Sequence, residues 1–123
     1  MNGIKLISTG SALPERVVTN DDMAKLVDTN DQWIVSRTGI SSRRHCSGDE
    51  SHTSLCLAAA RQALDRAGIS PEQIGVCLVA TLSPDFLTPA AACILQRELG
   101  FLEDTVCFDL NAACSGFVYG LHT

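Results

Sequence analysis

No apolar run in the chain approaches the roughly 18 residues of a membrane-crossing helix, and the longest stretches, such as 76–80, are far shorter. An integral helical membrane protein is thereby excluded. Basic residues never form a run longer than Arg43-Arg44. Nine Lys plus Arg stand against fourteen Asp plus Glu, a net charge of −5, which argues against general nucleic-acid binding. The amino terminus, MNGIKLISTG, lacks the unbroken apolar core of a signal peptide, so a cytoplasmic location is expected. No CxxC pair occurs among Cys46, Cys56, Cys77, Cys93, Cys107 and Cys114, which removes the usual signal of a metal site, and no metal is expected. Internal repeats, low-complexity segments and Pro/Gly/Ser linkers are missing too, so residues 1–123 read as one unit.

An apolar content of 46% is that of a globular chain with a core. Ile4 to Ser8 alternates like a strand and is followed by a turn region at 10–14. Thr19-Asn20-Asp21-Asp22 supplies a cap and an acidic first turn for a short helix through Val27. Thr29 and Gln32 have capping-box spacing, predicting a helix through Trp33, Ile34 and Arg37 that Gly39 stops. The alanine-rich segment 51–67 is apolar on two faces, predicting a buried helix ended by Gly68. Ser70-Pro71-Glu72 reads as a helical turn, and residues 76–80 read as a strand covered on both sides. Thr88-Pro89 is expected to open a helix reaching Leu99, with Gly100 in the terminating position. Residues 106–110 form another strand pattern, followed by the small-residue turn 111–116 and the start of a helix.

Strands alternating with helices predict an α/β fold, a mixed and largely buried sheet between helices. Phe117, Val118, Tyr119 and Leu121 need partners and nothing near Thr123 caps the last helix, so the chain is expected to be the front part of a longer one.

Cys77, Cys93 and Cys107 lie within apolar segments and read as small hydrophobes. Cys114 differs: it sits where a strand gives way to a helix, flanked by Ala112, Ala113, Ser115 and Gly116, with little bulk to shield its sulfur. A helix starting there directs backbone N–H groups at the thiol, which favours thiolate and could hold a developing oxyanion. The residues alone fit a buried turn cysteine equally well. Asp109 and Asn111 read as turn and strand-end hydrogen bonders, and Arg43 and Arg44 as a solvated loop or ion pairs. His45, His52 and His122 lie unfavourably for catalysis, His122 being roughly 12 Å along the helix from Cys114.

Two segments, DLNAACSGFVYGL around Cys114 and DTNDQWIVSRTGISSRR from Asp28 to Arg44, together resemble beta-ketoacyl-acyl-carrier-protein synthase III, the initiating condensing enzyme of type II fatty-acid synthesis. The resemblance implies a thiolase-like fold, of which residues 1–123 supply most of the first βαβαβ half, an amino-terminal and truncated portion. It implies an acyl-Cys114 intermediate, loaded from acyl-CoA and attacked by the carbanion from decarboxylating malonyl-acyl-carrier protein. Trp33 and Arg37 match the coenzyme A contacts, with Thr29 nearby, and coenzyme A thioester is substrate, with no separate cofactor. Positions four apart share a helix face, so the two could present a π-surface and an anion donor together. A homodimer is implied for the full-length enzyme, with Thr88 approaching the acyl pocket across the interface. The family's histidine and asparagine lie beyond these residues, so condensation by this chain alone is not expected.

Asn30, Gln32, Ser41-Ser42 and Ser115 depart from the commoner family residues without removing an assigned group. They leave room for a specialised relative that primes polyketide or signal synthesis. A non-catalytic folding or dimerisation scaffold is the alternative from another class, and a degradative thiolase is disfavoured by Trp33 and Arg37.

Overall fold

The computed structural model describes residues 3–123, which divide into two compact units, 13–51 and 3–12 with 52–123.

In residues 13–51, strand β1 (Arg16–Thr19) leads into helix α1 (Asn20–Ala24), and helix α2 (Asp31–Thr38) into strand β2 (Ser42–His45). β1 and β2 pair antiparallel, Arg16 opposite His45 and Thr19 opposite Ser42. Thr19 caps α1 as expected: the Asp22 amide donates to its hydroxyl at 3.2 Å while its own amide donates to the Asp22 carboxylate at 3.1 Å. The helix stops at Ala24, short of Val27. α2 is capped by Asn30, not Thr29, because the Asn30 side chain accepts the Trp33 N–H at 2.8 Å. Gly39 ends it with φ 70°, a left-handed conformation that glycine adopts without Cβ cost.

Buried Asn20 organises this unit, its amide donating to Asp31 Oδ1 and to the Ile40 carbonyl, both at 2.8 Å, and its oxygen accepting from Arg43 at 2.6 Å. Arg43 and Arg44 therefore lie on a strand and brace backbone, contrary to the loop expectation. Arg44 donates to the Pro14 carbonyl at 2.8 Å.

The second unit contains helix α3 (His52–Ala67), a 3-10 turn (Pro71–Gln73), strand β3 (Val76–Ala80), helix α4 (Ala91–Leu99), strand β4 (Val106–Leu110), a second 3-10 turn (Ala113–Ser115) and helix α5 (Gly116–His122). β3 and β4 pair in parallel, Val76 beside Val106 and Ala80 beside Leu110, joined by α4 as a βαβ crossover. α4 packs on both strands, α3 on α4, and α5 on β3. The core is Val79, Ala91, Ala92 and Leu95, with half-buried Cys56, Leu57, Cys77, Leu99 and Cys107 against it.

The α/β character expected from the sequence is present, with differences. Among the described residues the strands form two separate two-stranded sheets, one antiparallel and one parallel, not a single mixed sheet. β3 is covered by α4 on the Val79 face and in part by α5 on the Leu78 and Ala80 face, while Val76 at its start is 56% exposed. No residue of α3 is fully buried, because its alanines give it two apolar faces and α4 covers only part of them. Ile4 to Ser8 carries no strand, since no ladder partner lies beside it among the described residues. The segment is held instead by side chains: Ser8 donates to the Ala63 carbonyl at 2.6 Å, and Arg66 to the Thr9 carbonyl at 3.0 Å. Thr88-Pro89 does not open α4. The helix begins at Ala91, where the Asp109 carboxylate accepts the N–H groups of Ala91 and Ala92 at 2.8 and 2.9 Å. A cap delivered from β4 replaces the local one that the sequence suggested.

Candidate active site

Cys114 occupies the middle of the 3-10 turn between β4 and α5 and is exposed to solvent. The turn closes through the Ser115 N–H, which donates to the Ala112 carbonyl at 3.0 Å. Ala113, immediately before the cysteine, has φ 45°, a left-handed conformation that is uncommon for a residue with a Cβ. Such outliers persist where surrounding structure enforces them, and they cluster at functional turns.

The helix that follows is seated closely on the sheet. Gly116 starts α5 and is buried against β3; a Cβ added there would lie 2.9 Å from the Ala80 Cβ. A strand, a tight turn and a helix pressed onto the neighbouring strand therefore leave the Cys114 side chain in the open. No side chain caps α5, so the N–H groups of its first turn have no side-chain acceptor of their own. The arrangement suits attack by sulfur on an electrophile, and Cys114 is exposed in this chain.

An apolar depression flanks the turn, lined by Leu78, Ala80, Leu110, Phe117 and Leu121, about 200 Å³ in volume. Another, about 340 Å³, is lined by Thr81, Leu82, Leu87, Ala90, Asp109 and Asn111. Thr88 is exposed in the adjoining loop, before a cis peptide bond to Pro89.

Trp33, Arg37 and Thr29 belong to the other unit. Trp33 is 53% exposed, and the Arg37 guanidinium carbon lies 4.9 Å from its ring centroid, a cation–π contact across one turn of α2. The helical spacing read from the sequence thus brings these two together. Thr29 sits just before the Asn30 cap with its hydroxyl oxygen buried and without a hydrogen-bond partner. The capping role expected of Thr29 is taken by Asn30.

The remaining candidates have structural work. Asp109 caps α4, an assignment that sequence reasoning reached only as strand-end hydrogen bonding; the signal was an acid inside the apolar strand 106–110. His52 lies 3.7 Å from the Cys56 sulfur, and His45 and His122 are exposed. Burial pushes the Cys77 thiol up to about 11 and raises those of Cys56 and Cys107, so at neutral pH these behave as apolar side chains. Nothing in the residue type of Ala113 announced its backbone conformation.

No family model matches the chain. It is 50% identical over 123 residues to the beta-ketoacyl-[acyl-carrier-protein] synthase III of Clostridium acetobutylicum, covering all of this chain and 37% of that protein. The protein of the same name from Alkalilimnicola ehrlichii is 47% identical over 121 residues, 98% of this chain and 38% of the relative. The crystal structure of 3-oxoacyl-[acyl-carrier-protein] synthase III from Aquifex aeolicus superposes with a TM-score of 0.90 at 44% identity, over 98% of this chain and 38% of that one. The chain thus spans little more than a third of the length of these relatives. No helix among the described residues is long and apolar enough to cross a membrane.

Proposed function

We propose that this chain, which matches over its whole length the amino-terminal portion of beta-ketoacyl-[acyl-carrier-protein] synthase III, is the nucleophile-bearing part of an enzyme that starts fatty-acid synthesis by decarboxylative condensation. Cys114 is the acyl acceptor. Its sulfur attacks the thioester carbonyl of an acyl-CoA, the S–C bond forms, and the coenzyme A thiolate leaves with the proton that the cysteine gave up. Exchange between two thioesters costs little free energy, so sulfur can both take and release the acyl group. The acyl-enzyme is then attacked by the carbanion that malonyl-acyl-carrier protein yields on losing carbon dioxide. A chain spanning 37% of its relative carries the acylation step in this reading; the histidine and asparagine that assist decarboxylation belong to the remainder of the enzyme.

Trp33 offers its exposed ring to the adenine and Arg37 its guanidinium to the nucleotide, with Thr29 nearby in the same site. Coenzyme A thioester is the substrate and no separate cofactor takes part. The full enzyme is a cytoplasmic homodimer, in which Thr88 faces the acyl pocket across the interface and, being small, admits primers longer than acetyl. Thr88→Phe in the complete enzyme is expected to shift the acyl-CoA profile towards short chains, and an unaltered profile contradicts that role.

The single observation that carries the reading is the exposed Cys114 in a strand-to-helix turn, directly after left-handed Ala113. Its test is peptide-mapped mass spectrometry after incubating the folded chain with a panel of acyl-CoAs, circular dichroism confirming the fold. An adduct confined to Cys114 and lost in Cys114→Ala supports the assignment. A folded chain with no adduct supports the scaffold alternative.

A further inference from the structure

A pair of thiols apart from Cys114 lies on the core side of the parallel sheet. Cys77 and Cys107 are register partners across β3 and β4, on the face that also carries Val79 and Asp109, and both pack against the core beneath α4. Adjacent strands lie about 4.8 Å apart, inside the window of about 4.4–6.8 Å of Cα separation that a disulfide spans. Cys93 is engaged elsewhere, its thiol donating to the Cys107 carbonyl at 3.8 Å. All six cysteines are free.

We propose that Cys77 and Cys107 form a reversible disulfide under hydroperoxide, a redox site separate from Cys114. The Cys107 sulfur attacks the peroxide O–O bond, giving a sulfenic acid and releasing one oxygen as water or alcohol. The Cys77 sulfur then displaces the sulfenic oxygen, which leaves as a second water, and the S–S bond closes. The pair loses two electrons and two hydrogens, and the peroxide is reduced. Cys107 is assigned the first attack because burial pushes the Cys77 thiol up to about 11. Burial also raises Cys107, so the site reacts more slowly than an exposed thiol and responds to sustained oxidant. The bond ties β3 to the strand that leads into the Cys114 turn. None of this depends on the reading of Cys114 as an acyl acceptor.

The test treats the 123-residue chain with hydrogen peroxide, blocks remaining thiols with N-ethylmaleimide in denaturant, and maps the peptides. The expected product is one linked peptide joining Cys77 to Cys107, two hydrogens lighter than the reduced pair and restored by dithiothreitol. Cys107→Ala is expected to leave Cys77 alkylatable at the same dose, without rerouting to Cys93 or Cys56. Two outcomes overturn the proposal: Cys77 and Cys107 both alkylatable when exposed Cys46 is fully oxidised, or linkages scattered over all cysteine pairs. The unsubstituted chain gives this readout by itself, so a variant that fails to fold does not spare the proposal.

Discussion

Asp109 has a heavier structural role than its place in an apolar strand suggests. Its two oxygens take the N–H groups of Ala91 and Ala92, both of which belong to buried residues at the start of α4. Removing the carboxylate strands two donors in the core. Asp109→Ala is expected to cost about 2–4 kcal/mol by urea denaturation, since each buried unsatisfied donor costs about 1–3 kcal/mol; a loss below about 0.5 kcal/mol contradicts the cap. Asp22 is the exposed counterpart. Its carboxyl is held well below the usual carboxylate range, first by the hydrogen bond from Lys25 at 2.8 Å and then by Thr19. Folding lowers this pKa, so the carboxylate's contribution is complete above about pH 4 and fades as pH falls towards the folded value. An NMR titration of the Asp22 carboxyl is expected to have its midpoint below that of an ordinary aspartate, moving up in Lys25→Met; an ordinary midpoint in the unsubstituted chain contradicts it. At this scale the sequence was informative where chemistry is local. Small neighbours marked Cys114 as open, and the spacing of Trp33 and Arg37 marked a shared helix face. Thr29 misled because Asn30, one residue on, is an equally good cap and took the Trp33 N–H.

Helices α3, α4 and α5 and strands β3 and β4 were legible because each is written in its own segment, as apolar spacing bounded by glycine or a small-residue turn. What was not legible depends on distant partners. A strand at 4–8 needs a neighbouring ladder, and the start of α4 was set by an aspartate 18 residues away in sequence from Ala91. The seating of α5 is a further case, since one glycine determines how near the helix comes to β3. Gly116→Ala puts a methyl 2.9 Å from the Ala80 Cβ and is expected to cost about 1–3 kcal/mol as overpacking. It should also slow Cys114 acylation, because α5 begins two residues after the sulfur. Gly120→Ala, one turn on, meets only Leu78 at 3.9 Å and is expected to be neutral or stabilising by up to about 1 kcal/mol through helix propensity. Equal urea midpoints for the two variants contradict this account of the seating.

At the scale of the whole molecule, apolar side chains outnumber the surfaces available to cover them. Val76, Val106, Phe117, Val118 and Tyr119 are each more than half exposed. Patches of this kind drive association. Sedimentation at micromolar concentration is expected to show self-association, and a monodisperse monomer contradicts it. The parallel β3–β4 pair reports on the same question from within. The Val106 N–H bonds to the Gly75 carbonyl and the Thr81 N–H to the Leu110 carbonyl, which sets the alternation of the ladder. Amides of Cys77, Val79, Thr81, Val106, Phe108 and Leu110 then point inward, and those of Val76, Leu78, Ala80, Cys107 and Asp109 point out. In deuterated solvent the isolated pair should exchange with a two-residue rhythm, slow and fast amides alternating along each strand. Uniform slowness along β4 would be the signature of another strand laid against its open edge, so the solvent's own hydrogens can count the neighbours of the sheet.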